Sequence, residues 1–486
     1  MQKLTTSFHI SVVYILGIAT LFFATLFTFY PVLMIIMSLV IITLLVLIIK
    51  PGWSYFLLIL SYHCSYLMTK LIHEKIDYFY TPGEILLVVM FFLWFVSRSI
   101  NTVAPYPKTA CDIPLLLFVS LALLSLFWSH DFYYGVDQML RLFFVSIGSL
   151  VLALSIINTH SIINKIIWFI IIIGVVDSII CFFALYTYPD YPATNLYKAK
   201  DFQIYLMFNM HFVGKRGHAF CHPLTTALWL NIALILSFGK FITTKGNIKI
   251  LIGIIMFLLL TAQLTTMGKG PVIAIIGGFV FLFLFIKPLK KAFFISIIIL
   301  FVTIVTSFVL ANITQLKKVS AVTAHQMTYG DEDSSTSSRT RWWSTGIKKG
   351  LETYGLGVGI GGIRKYLYPR GVPHTHNVYV GAFAELGFIG LSLLLLIYFI
   401  TFKTCFEALR QCKSEYYKRI LLAYMGGFVM LLIDIATDSN YVIDLIWWYI
   451  GFGLALAKFA KEAPHGYMEE NLPFFEDGKS ICATVK

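Results

Sequence analysis

The run IIWFIIIIGVVDSIICFFAL, residues 166–185, carries a single charged side chain, Asp177, in twenty positions. A helix rises about 1.5 Å per residue, so such a run crosses the roughly 30 Å hydrocarbon core of a bilayer. Comparable runs, separated by short polar breaks, fall near 10–29, 31–49, 53–72, 82–97, 113–128, 135–157, 164–188, 220–239, 248–266, 271–286, 292–314, 377–402, 417–434 and 440–457. They are continuously apolar, whereas barrel strands are about ten residues long and alternate, so they read as helices. The expected fold is all-α, a polytopic membrane protein of about fourteen (twelve to fourteen) transmembrane helices. Composition excludes a soluble globular protein: 58% of the 486 residues are hydrophobic and 13% charged, with mean hydropathy +0.82. Soluble domains run nearer 45–50% apolar and about 25% charged.

Charge sets the expected sidedness. With the N-terminus inside, alternate junctions carry Lys50, Arg98 with Lys108, Lys165, Lys240 with Lys245 and Lys249, Lys287 with Lys290 and Lys291, and then Lys403 to Arg419. The positive-inside rule therefore puts both termini in the cytoplasm, and no signal peptide is expected ahead of the first run. The net charge of +13 is assigned to loop orientation and anionic lipid rather than to nucleic acid. Seven scattered cysteines form no C-x-x-C pair and no zinc-like cluster, so neither a disulfide framework nor a structural metal is indicated.

The expected organisation is spans one to eleven over 1–314, with an outer loop near 189–219. A large outer loop with helices of its own follows over 315–376, then three last spans over 377–460 and a cytoplasmic tail over 461–486. Loops as long as the 315–376 segment are uncommon unless functional. That is where chemistry is sought first.

HTHN at 374–377 stands where this loop meets the next apolar run. An imidazole titrates near neutrality and can take a proton from an attacking hydroxyl; alternatively His374 and His376 only flank a helix end. Basic residues stand at the outer ends of other spans, against the positive-inside preference: Arg216 in GKRGHAFCHP, Lys269 in LTTMGKG, and Arg339 and Arg341 in SSRTRWW. A diphosphate gives such cations a purpose, Arg as a bidentate fork and Lys as a point charge; snorkelling to headgroups is the other account.

GLGVGIGG, 355–362, lacks a P-loop ending and reads as a close-approach turn, while the D-x-D of Asp331–Asp333 reads as a solvated charge run. Arg141, Asp177 and Glu385 within spans, and Asp434 and Asp438 near an outer end, are costly in a bilayer. They are functional candidates unless they form interhelical ion pairs.

In their order, the stretches from 214 to 390 resemble the O-antigen ligase and O-antigen polymerase superfamily of bacterial envelope glycosyltransferases. That pattern is an Arg segment with a following Pro, an L-T-x-S-R-G segment, and a long loop. The loop opens with R-x-x-x-W, passes a Gly-rich stretch and ends in H-x-H-N before an E-x-G-x-x-G helix. The counterparts here are Arg216 with Pro223, LTTMGKG, Arg339 with Trp343, GLGVGIGG, HTHN, and Glu385 with Gly387 and Gly390.

The resemblance implies an all-helical enzyme of the bacterial inner membrane, with its active site facing the periplasm, that moves a glycan from undecaprenyl diphosphate to a sugar hydroxyl. In ligases the acceptor is the lipid A core. By position, His376 is the implied catalytic residue, and Arg216 and Lys269 are the implied diphosphate ligands, with Arg339 and Arg341 beside them. The resemblance also matches Asp438, or alternatively Asp434, to an acidic residue near the ligases' C-terminal end; His374, Asn377, Arg141 and Glu385 are supporting candidates from their own positions. Lys269 stands where the family has Arg, which keeps the charge and loses the fork. Partners are thus the lipid-linked donor, a lipid A core or other glycan acceptor, and membrane lipid; no nucleic acid, metal or other cofactor is called for.

Chemistry agrees. A lipid diphosphate leaving group needs cations, the acceptor hydroxyl needs a base, and direct displacement inverts the anomeric centre. The same constellation suits a polysaccharide polymerase or a protein O-oligosaccharyltransferase. From another class, a lipid-linked oligosaccharide flippase shares the many spans, but it should hold its charges near the midplane.

Overall fold

The computed structural model describes residues 59, 82–99, 106–187, 219, 223–266, 268–285, 335–368, 373–437 and 440–464, all within one compact unit, Ile59–Lys486. The predicted runs at 10–29, 31–49 and 292–314, nearly all of 53–72, the tail beyond 464, and both Arg216 and Asp438 lie outside the described residues.

Every described element is a helix: α1 (Pro82–Ser99), α2 (Asp112–Ser125), α3 (Phe132–Leu140), α4 (Gly148–Ile156), α5 (His160–Thr187), α6 (Pro223–Thr243) and α7 (Gly246–Thr265). The series continues with α8 (Lys269–Phe285), α9 (Ser335–Glu352), the single turn α10 (Arg364–Leu367), α11 (Val378–Gln411), α12 (Glu415–Asp434) and α13 (Asp444–Glu462). A π-helical stretch, Arg141–Ile147, joins α3 to α4 without a break. Six among the described residues are long and apolar enough to cross a bilayer: Phe132–Ile156, His160–Phe182, Leu224–Thr243, Gly246–Thr265, Val378–Gln411 and Glu415–Asp434.

Local chemistry explains the starts. Asp131 accepts from Tyr134 N at α3, Asn377 from Tyr379 N and Val380 N at α11, and Ser414 from Tyr417 N at α12. Pro223 opens α6 where its missing N–H costs nothing. These side chains satisfy donors that a helix start leaves unpaired.

Between helices the contacts are close. α8 crosses α12 where Gly278 faces Gly426 and Met430; a Cβ on Gly278 would stand 2.8 Å from Gly426 O. Small residues permit this approach where lipid offers no hydrophobic drive for association. Around α12 gather α6, α8 and α13, while α4 runs along α13.

The helices share two ends. One holds the 126–131 connector, the start of α8, the start of α11 and the connector between α12 and α13, joined to one another by the contacts described below; we call it the site end. At the opposite end lies Lys240, expected in a loop and found inside α6 without solvent exposure. Its Nζ donates to Asn164 Oδ1 and, at 2.9 Å, to the Tyr416 hydroxyl, and it lies over the rings of Trp168 and Tyr416 at 5.5 and 5.0 Å. The reason is length: α6 runs on to Thr243, so the ammonium meets α5 and α12 instead of water.

Lys240→Ala is expected to lower the melting temperature in detergent, because it strips partners from buried polar groups at about 1–3 kcal/mol each. An unchanged melt would remove the buried lysine as a support.

Candidate active site

The glycine-rich loop, residues 355–362, docks on α11 and on the α2–α3 connector. Gly355, Gly357, Gly359 and Gly361 sit at φ of 80°, 83°, 83° and 71°. Gly387 breaks α11 with φ 70° and ψ −164°. That break frees two α11 carbonyls, and the loop takes them: Val358 N donates to Ala384 O and Gly359 N to Glu385 O, both at 2.9 Å. In exchange, Phe388 N donates to Gly355 O at 2.9 Å. A helix ladder is thus spliced to a loop through three backbone bonds.

The other side of the loop rests on the α2–α3 connector. Ile360 N donates to Ser125 Oγ and Ser129 Oγ to Ile360 O, each at 2.9 Å, and His130 N to Val358 O at 3.0 Å. The His130 ring nitrogen and the Tyr366 hydroxyl are 2.6 Å apart. Burial, then Lys365 and Lys349, hold that imidazole below its ordinary value, so it favours the neutral form. Arg364 is stacked on Tyr134 and Tyr368, 4.5 Å from each ring, and lies 3.7 Å from Asp131. The close-approach reading of GLGVGIGG describes what the loop does.

Glu385 belongs to this clamp. Buried on α11, it accepts the hydroxyl of Tyr441 and the backbone N–H groups of Gly361 and Ile363. It fixes the loop rather than facing His376.

His376 lies one residue before the Asn377 cap, with φ of 52°, in the left-handed region. Besides capping α11, Asn377 donates through Nδ2 to Ala436 O at 2.7 Å, and Val378 N donates to Ile435 O at 3.0 Å. Thr375 Oγ1 closes the turn by donating to Asn377 O at 2.9 Å. The His374 and His376 rings are 4.3 Å apart, centroid to centroid, and Trp342 lies 5.0 Å from His376.

Trp342 comes from α9, which runs parallel to α11. A Cβ on Gly346 would stand 2.9 Å from Val380 Cγ1, and one on Gly350 2.7 Å from Phe383 Cε1. That register separates two candidates. Arg339, three residues before Trp342, shares its face and is half-buried, whereas Arg341 is turned about 100° away and is exposed.

Lys269 is exposed at the first position of α8. Its neighbour Gly270 is packed against Thr437, whose Cβ would stand 3.0 Å from an added methyl, and Asn231 Nδ2 donates to Pro271 O at 3.1 Å. The positive end of the helix dipole makes this helix start a favourable place for an anion.

One short segment therefore gathers the site. The α12–α13 connector, residues 435–443, binds the His376 turn at Ile435 and Ala436, abuts the start of α8 at Thr437, and reaches α3 through Asn440 Nδ2, which donates to Gln138 Oε1 at 3.3 Å. Arg141 is placed otherwise. It pairs with Glu84, and with Asp137 at 3.1 Å, as the interhelical ion pair weighed for it from sequence. Asp177 is buried in α5 and Asp434 ends α12.

Sequence reasoning missed Trp342, Asn231, Gln138, Asn440 and Tyr441. Only Trp342 left a usable signal: helical spacing puts it on the face of Arg339 once 335–352 is granted to be one helix.

The segment from α7 through the first half of α11 can be compared with known families. Residues 254–395 match the family model described as O-Antigen ligase. No relative among the curated proteins was found at a significant level of similarity. The match takes in Lys269, α9, the glycine-rich loop, HTHN and the break at Gly387. Residues 254–395 are thus similar to the O-antigen ligase family, and the match supports that superfamily for this segment.

Proposed function

We propose that the chain is an O-antigen ligase that transfers a glycan from undecaprenyl diphosphate to a sugar hydroxyl of the lipid A core. The reaction takes place at the periplasmic face of the bacterial inner membrane. A ring nitrogen of His376 accepts the proton of the acceptor hydroxyl while that oxygen attacks the anomeric carbon. The bond from this carbon to the diphosphate oxygen breaks, and the pair of electrons leaves with undecaprenyl diphosphate. Attack from the face opposite the leaving group inverts the anomeric centre. The diphosphate is already a good leaving group, so the step asks for neither a metal nor a covalent intermediate.

Lys269 and Arg339, with Arg216, receive the charge that develops on the leaving group, while Arg341, turned away from His376, is left out of this role. Charge-assisted contacts of this kind are worth about 1.5–3 kcal/mol each. The observation that carries this reading is the α12–α13 connector, which holds the His376 turn through Ala436 and the Lys269 helix through Thr437. A base and a cation from distant parts of the sequence stand at one end of the bundle. A flippase would ask for such groups near the middle of the spans.

The test is transfer in vitro with purified protein, a polyprenyl-diphosphate glycan and lipid A core. Appearance of the joined product supports the ligase reading. Repeat units growing on the donor lipid without core identify a polymerase instead, and transfer to a protein hydroxyl identifies an O-oligosaccharyltransferase.

Lys269→Ala is expected to raise the KM for the donor by about tenfold, the equivalent of about 1.4 kcal/mol, while Lys269→Arg keeps most activity. The reverse ranking would count against a phosphate role.

A further inference from the structure

We propose that Trp342 is a positioning residue that fixes the His376 imidazole, a role that rests on the assignment of His376 as the base. The Trp342 and His376 rings stand 5.0 Å apart, centroid to centroid, and are tilted by 33°. His376 has φ of 52°, a conformation that L residues avoid and that persists only where neighbours hold it. Asn377 and Thr375 pin the backbone on both sides. Backbone bonds alone do not set the side-chain torsions, so the walls around the ring bear on where it points.

Trp342 is built to be such a wall. It packs against the buried cluster of Val358, Ile363, Leu367 and Ala384, which is the glycine-rich loop docked on α11. The close approach at Gly346 and Gly350 keeps α9 from sliding along α11. An indole anchored in this way has few other places to go. Its face also attracts a cation within about 6 Å, so it favours the imidazolium that forms when His376 takes the acceptor proton. Aromatic character, beyond bulk, therefore matters at this position.

α9 carries Trp342 and Arg339 on one helix, so the wall of the imidazole and one candidate cation share a single element.

The experiment compares Trp342→Leu and Trp342→Phe in the full-length protein, alongside His376→Ala. Trp342→Leu should lower kcat by about ten- to a hundredfold, as expected when a reacting group is misplaced by about 1 Å, with the donor KM changed by less than about threefold. Trp342→Phe should restore most of the loss.

In protein labelled with 13C-histidine, the Cε1–H resonance missing from His376→Ala identifies His376. The indole ring current displaces it in the wild type, Trp342→Phe keeps part of that displacement, and Trp342→Leu abolishes it. Wild-type kcat in Trp342→Leu overturns the proposal. So does a fall in kcat with the resonance unmoved, since the effect then runs through folding. Activity in His376→Ala removes the base itself and this role with it, whereas the resonance reports the ring contact independently of turnover.

Discussion

The His376→Ala protein is expected to insert and melt like the wild type and to transfer no glycan above background, a loss of about 10²–10⁴-fold, the usual worth of a positioned general base. The separation of fold from activity has a structural basis. The side chain is only half-buried, and the turn that presents it is held by Asn377, Thr375 and the backbone of Val378. None of these bonds uses the imidazole. Alanine at φ of 52° carries much the same backbone cost as histidine, so stability should change little. Free imidazole added to the variant should recover part of the rate, which a purely structural histidine would not allow. Full activity in His376→Ala would remove the general-base assignment, and with it the chemical core of the proposed reaction.

Gly387→Ala is expected to be the most damaging single methyl addition in the described structure. At φ of 70° an L side chain is strained, and the new Cβ would lie against Gly355 O and 2.6 Å from the Leu356 carbonyl carbon. To relieve the clash the loop must lift, which breaks the bonds from Val358 N to Ala384 O, from Gly359 N to Glu385 O and from Phe388 N to Gly355 O. Strain of about 1–3 kcal/mol adds to unpaired buried backbone at a similar cost per group. The variant should lose glycan transfer with His376 and Lys269 chemically intact, and protease should cut readily within the 355–368 stretch. Gly253→Ala is the control, because its added methyl meets only Phe241 at an ordinary 3.6 Å. Protease resistance and activity like the wild type in Gly387→Ala would show that the splice is not needed.

Hydrophobic pattern made the spans legible. The run expected at 135–157 is the continuous helix Phe132–Ile156, and the one at 417–434 is Glu415–Asp434. Apolar character that begins after Asn377 puts HTHN at a loop-to-helix junction, and Asn377 is the cap. What pattern could not supply is register and distance. Choosing Arg339 over Arg341 as the cation on the His376 side needs the face that α9 turns toward α11. The α12–α13 connector owes its role to partners far along the chain, Asn377 and Ala436 being 59 positions apart and Gln138 and Asn440 302. Lys240 misled for a related reason: a lysine near the end of an apolar run reads as a loop cation until the aromatic rings around it are known.

The interruption at Gly387 leaves residues 378–386 as a short rod, roughly 13 Å long at 1.5 Å per residue. Gly387 acts as its fulcrum, the glycine-rich loop grips the near end, and His376 rides just beyond the far tip. The rod is thus held at both ends, by the loop at Ala384 and Glu385 and by the α12–α13 connector at Asn377 and Val378, so the His376 turn and the glycine-rich loop are kept a fixed span apart.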